Sequence, residues 1–245
     1  MSKFLKCFEV KNATATSADL YFYGDIVSDW WGAWQDEDQY PDAIKNFLAE
    51  QTGKDLNVYI NSGGGSVFAG IAIYNMIKRH GQNNNVKVFV DGLAGSIASV
   101  IAFAGSDKPT IPANAFLMIH NPWSWAEGNA KELRKMADDL DQITTGILNI
   151  YEEHLKEGVS IDMIKELMDA ETWLNGQQAA EYFDIDVGET KEYAAAVGDY
   201  MNKAKNRPKN MKTSSDVAAA QAAREAEAKR DKLKRLVIQN LSKGE

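Results

Sequence analysis

The order strand-helix-strand constrains this chain most: the β-branched runs Leu56 to Ile60 and Val86 to Val90 enclose a segment in which Ile71, Ile73, Tyr74 and Ile77 recur at helical spacing. A helix from about Val67 to Arg79, with Gly81 near its exit, is long enough to carry the chain back over a sheet, so the two strands can run parallel. Further strands are expected at Leu20 to Ile26 and Ala115 to Ile119, and a second helix from about Ser96 to Ala104. A long charged helix over roughly Glu127 to Lys156 carries Leu133, Met136, Leu140, Ile143, Ile147, Ile150 and Tyr151 on one side. Helices of that length usually project or pack on a partner chain. Strands alternating with helices give an α/β class. The Asp- and Trp-rich segment Ser28 to Tyr40, with Trp30, Trp31 and Trp34, reads as a loop whose aromatics pack in a core or an interface.

Charge divides the 245 residues unevenly. Residues 201–245 hold 12 Lys/Arg against 5 Asp/Glu, whereas the first 200 hold 15 against 30, so the overall −8 averages an acidic body and a basic tail. A polar segment, Asn206-Arg207-Pro208-Lys209-Asn210, reads as the linker, and Ser215-Asp216 can cap a helix reaching Leu233, Leu236, Val237 and Leu241. The expected organisation is one domain over residues 1–200 and a basic linker with a helical tail over residues 201–245. An acidic body disfavours a nucleic-acid groove, because such a groove must neutralise phosphates; the argument weakens for the tail. A single cysteine, Cys7, forms no internal disulfide. The longest weakly polar stretch, Gly92 to Gly105, is too short to span a membrane, and Phe4 and Leu5 between Lys3 and Lys6 make no signal-peptide core, so a cytosolic protein is expected.

Two strand-to-helix turns are candidates for chemistry. In Ile60-Asn61-Ser62-Gly63-Gly64-Gly65-Ser66-Val67 the glycines let backbone approach a ligand and leave N–H groups for a phosphate or a developing oxyanion. Neither the phosphate-loop pattern nor the dinucleotide fingerprint follows, and a plain tight turn is the alternative. In Asp91 to Ser99, Ser96 stands where a nucleophile would be exposed at a strand's C-terminal edge, although serine is also a common helix N-cap. Of the three histidines, His80 at a helix end reads as a cap for carbonyls and His154 as solvated on the charged helix. His120 ends the strand Ala115 to Ile119 and emerges at the same edge as Ser96, which points to a Ser-His pair over a merely structural edge histidine.

These segments together resemble the proteolytic subunit of the Clp protease and its relatives, the phage prohead proteases most of all. The resemblance rests on Tyr59 to Gly65, the Gly-x-Ala-x-Ser turn around Ser96, Met118-Ile119-His120-Asn121-Pro122, and Glu171-Thr172-Trp173-Leu174-Asn175 followed by Ala179-Ala180-Glu181-Tyr182 and Asp184. It implies a crotonase-like α/β fold of strand-helix units, with the helix from Glu127 as the handle through which rings of identical subunits stack. It implies catalysis by Ser96 as nucleophile and His120 as general base, with the N–H groups of Gly65 and Ile97 as the oxyanion hole. The family usually has Asp where Glu171 stands; Glu171 is therefore the first choice for the triad acid and Asp169 the fallback, while both also read as helix-end charges. Gly63 replaces a proline common in the family. No cofactor and no metal is expected.

The absence of a clear axial hairpin near the N-terminus and the extra basic tail favour the phage relatives. The leading expectation is an ATP-independent serine endopeptidase that processes capsid or scaffold proteins during head assembly, inside the procapsid in the host cytoplasm. Alternatives are a housekeeping-type peptidase loaded by an ATPase unfoldase, a catalytically silent ring or scaffold subunit whose tail binds an acidic partner, and the acyl-CoA branch of the crotonase-like fold. Ser96 and His120 weigh against the last, which needs no such pair.

Overall fold

The computed structural model describes residues 13–29 and 39–190. The basic linker and tail of residues 201–245, Cys7, and Trp30, Trp31 and Trp34 lie outside them. The elements run β1 (Ser17–Phe22), α1 (Pro41–Glu50), β2 (Asp55–Ser62), α2 (Val67–Gly81), β3 (Val86–Gly95), α3 (Ile97–Ile101) continued by one 3-10 turn, β4 (Thr110–Pro112), β5 (Phe116–Ile119), α4 (Ala130–Glu152), α5 (Ile161–Asp169), β6 (Thr172–Asn175), α6 (Gly176–Tyr182) and β7 (Asp186–Gly188). This is the expected α/β class. β1, β2, β3, β4 and β7 lie side by side and parallel.

Alternation along the strands explains the layers. Leu20 and Phe22, Val58 and Ile60, and Val88 and Val90 are buried in one cluster with Ile44 and Phe47 of α1 and Ile73 and Ile77 of α2. Each such side chain taken from water is worth about 1.5–3 kcal/mol. The residues between them form half-buried aromatics in register across three strands: Tyr21 stacks on Tyr59 at 4.8 Å and Tyr59 on Phe89 at 5.4 Å.

β3 is the organising strand. It meets β4 at Phe89 and, further along, β5 over Leu93 to Gly95, so its C-terminal half has its own partner. Its pairing with β2 slips between Ile60↔Val90 and Ser62↔Ala94. The slip brings the end of β3 against the glycine turn after β2. β6 then pairs antiparallel with β5.

Several sequence boundaries shift. The first strand ends at Phe22, and Ile26 instead makes isolated bridges to Gln39 and Gly65. The long helix spans 23 residues, from Ala130 to Glu152, because Asn129 and Glu132 form a reciprocal capping box that starts it two residues after Glu127's neighbour Gly128. His154 lies past its end and is half-buried, not simply solvated: its ring stacks on Phe103 at 5.0 Å. His80 does meet a carbonyl, at 2.8 Å, but that of Lys54 before β2 instead of its own helix end.

Candidate active site

Ser96 directly follows β3, and the strand register decides what surrounds it. Gly95 pairs with Met118, and the Ser96 N–H donates to the Met118 carbonyl at 2.8 Å. Two residues beyond Met118, His120 therefore arrives at the same edge, with Nε2 2.8 Å from Ser96 Oγ. Ser96 stands at the N-cap position of α3, yet its hydroxyl makes no cap bond, and its backbone is at φ 53° and ψ −129°. A non-glycine residue in such a conformation stores on the order of 1–3 kcal/mol and persists where its surroundings over-determine it. The hydroxyl is turned to the imidazole.

The acid side follows from the antiparallel pair. Ile119 faces Thr172 at the end of the pair, so His120 directly follows one strand end and Glu171 directly precedes the other. Burial pushes the His120 imidazole below its ordinary value, and the Glu171 carboxylate partly opposes that by favouring the protonated ring. Asp169 goes elsewhere: its Oδ1 accepts from the Asn121 side chain at 2.6 Å. Of the two acids expected from sequence, Glu171 is thus the one whose charge acts on His120. The Asn121–Asp169 bond fastens the loop after His120 to the end of α5, and no sequence signal marked it.

Glycines complete the edge. Gly64 and Gly65 sit at φ +97° and +144°, conformations open to glycine but strained for other residues. A Cβ on Gly64 would stand 2.7 Å from Ser96 Cβ, and one on Gly65 would fall 2.0 Å from the Ile26 carbonyl oxygen. The Ile26 N–H donates to the Gly64 carbonyl and the Ser66 N–H to the Ile26 carbonyl, which pins the turn from both sides. Neither the Gly65 nor the Ile97 N–H has a backbone acceptor among the described residues. Ile97 is the first residue of α3, where N–H groups have no intrahelical partner. A cleft of about 660 Å³ opens beside Gly65, lined by Phe68, Pro122, Trp123 and Trp125, while Ser96 and His120 lie outside its lining. No three His, Cys, Asp or Glu residues among those described cluster so as to hold a metal, and no described helix is long and apolar enough to cross a membrane.

A family model for the Clp protease matches residues 37–187. Two relatives named ATP-dependent Clp protease proteolytic subunit are similar to the chain: that of a Bacteroides fragilis strain is 34% identical over 135 residues, which is 55% of this chain and 63% of the relative. That of Ligilactobacillus salivarius is 35% identical over 139 residues, 56% of this chain and 68% of the relative. The Bacteroides thetaiotaomicron counterpart is 32% identical and covered over 60% of its length, so the chain spans about three-fifths of several relatives it matches. The matched segment takes in β2, β3, β5 and β6, the strands that carry Gly65, Ser96, His120 and Glu171 to one edge, and on a family match longer than half of its length the chain belongs to the Clp protease family.

Proposed function

We propose that this chain is a serine-type peptidase in which Ser96 is the nucleophile, His120 the general base and Glu171 the acid that holds and charges the imidazole. The observation that carries the reading is the 2.8 Å contact between Ser96 Oγ and His120 Nε2 at a strained, uncapped elbow. Ser96 attacks the peptide carbonyl while His120 takes its proton. The N–H groups of Gly65 and Ile97 stabilise the resulting oxyanion, each such donor being worth about 3–4 kcal/mol of transition-state stabilisation. His120 then returns the proton to the leaving amine, and water repeats the sequence on the acyl-serine.

Protein substrates and assembly of identical subunits into a ring are part of the same proposal. The ring reading is supported by α4, whose outer turns leave Leu133 exposed and Met136, Leu140 and Ile143 only half-covered. Processing of capsid or scaffold proteins without ATP is the favoured role; the basic charge of residues 201–245 supports it. The competing role, degradation with an ATPase unfoldase, is favoured by the ATP-dependent relatives.

A fluorophosphonate probe tests the chemistry: the adduct is expected on Ser96 and is expected to vanish in His120→Ala. A folded chain that takes no label would overturn the peptidase reading. Incubating wild type and Ser96→Ala with capsid and scaffold proteins then separates the roles, since cleavage only with ATP and an added unfoldase removes the assembly role.

A further inference from the structure

Ser99 lies wholly buried three residues after Ser96, and its hydroxyl touches two oxygens: the Ser96 carbonyl and, at 2.6 Å, the Tyr151 phenol. A hydroxyl has one proton and a carbonyl oxygen only accepts, so the Ser99 proton goes to the Ser96 carbonyl. Toward Tyr151, Ser99 Oγ is then the acceptor and the phenol the donor. Burial raises the phenol well above its ordinary range, which keeps that proton in place at any working pH. The relay therefore has a single direction, from Tyr151 through Ser99 to the Ser96 carbonyl, which also accepts the Ser99 N–H at 3.0 Å.

What the relay fixes follows from peptide geometry. The Ser96 carbonyl and the Ile97 N–H belong to one planar unit, trans like the other peptides among the described residues, and point in opposite directions. Holding the carbonyl toward Ser99 aims the N–H away from it. On the glycine side the approach is close: a Cβ on Gly64 would stand 3.0 Å from Ile97 N. Tyr151 is itself fixed, its ring 6.1 Å from that of Phe103 and 5.5 Å from that of Phe183.

We infer that Ser99 and Tyr151 are positioning residues that hold the Ser96–Ile97 peptide with the Ile97 N–H facing the oxyanion. The inference rests on the peptidase reading. An N–H aimed at charge that exists only in the transition state acts on kcat and leaves substrate binding alone.

The test uses the full chain, hydrolysis of a short fluorogenic peptide and the rate of fluorophosphonate inactivation. Ser99→Ala is expected to lower kcat about tenfold with KM within about twofold, and Tyr151→Phe, which keeps the ring packing, to lower it about threefold. The double variant should be no slower than Ser99→Ala, because the phenol acts only through Ser99. The acid limb of the pH–rate profile should stay in place, since His120 is untouched. A folded Ser99→Ala chain with wild-type kcat, multiplying effects in the double variant, or a displaced acid limb overturns the inference. Should Ser99→Ala not fold, undiminished kcat in Tyr151→Phe overturns it alone. A wild-type chain that neither hydrolyses peptide nor takes the probe overturns the peptidase reading and the relay with it, whereas loss confined to the relay inference leaves wild-type activity and labelling intact.

Discussion

Among the described residues only two that are not glycine have positive φ, Ser96 at 53° and Glu171 at 51°, and they flank the same histidine. At Glu171 the unusual backbone turns the chain from α5 into β6, and the charge of the carboxylate acts on His120. Its charge raises the imidazole's proton affinity against a larger lowering by burial, so the sign of a substitution is fixed. In Glu171→Gln the acid limb of the peptidase pH–rate profile should move to lower pH, while kcat drops about a hundredfold or more because the imidazolium of the transition state loses its counter-charge. A limb that stays put or moves up would remove Glu171 from that role and leave the site without its acid. Ser96 and His120 were legible from sequence because each sits at the end of an apolar strand within a few residues of its own turn. Glu171 was legible only through the family resemblance, since its approach to His120 depends on a pairing between β5 and β6. The bond between Ser99 and Tyr151, 52 residues apart, left no local signal in the sequence.

At the scale of elements, the strands and α2 stood out because burial on a sheet face imposes a strict alternation and α2 shows several turns of its period. α1 and α5, of ten and nine residues, carry too few periods to stand out and depend on tertiary burial of Ile44 and Phe47 or of Ile164 and Met168. The end of α4 shows the opposite error, in which a charged neighbourhood in sequence conceals a packed ring. His154 stacks on Phe103 with Nε2 buried and unpartnered, and burial first, then Lys78, lowers its proton affinity below the ordinary 6.5, although Glu153 and Asp184 oppose this. His120 is lowered from the same value. For both, the unfolded chain binds more protons than the native one as pH falls below about 6.5, so stability is present in full above that pH and is lost below it. Thermal melts from pH 7.5 to 5 should show this fall. His154→Phe keeps a ring on Phe103 and removes one of the two titrating groups, so it should flatten the fall without lowering Tm at neutral pH; an unchanged slope would show that this ring does not titrate on unfolding.

For the whole molecule, the family match and the described body end close together, at residues 187 and 190, just ahead of the region where charge changes sign. The fold of that body was readable in outline because one crossover unit forces a parallel sheet, whereas the splitting of β3 between β4 and β5 was not, since it depends on where a strand leaves its neighbour. α4 is buried unevenly along its length. Ile147, Leu148 and Tyr151 near its C-terminus are buried, but toward its start Leu133 remains 45% exposed. If like subunits cover that surface, association and folding draw on the same free energy, and Tm measured from low to high micromolar protein should climb with concentration. A concentration-independent Tm would remove the assembly from the stability of the fold. Because Tyr151 lies in the last turn of this same helix, a subunit seated on its outer end would not be remote from catalysis: if like subunits cover that end, dilution acts as a denaturant, and the first function to feel it is the one served by the helix's buried end.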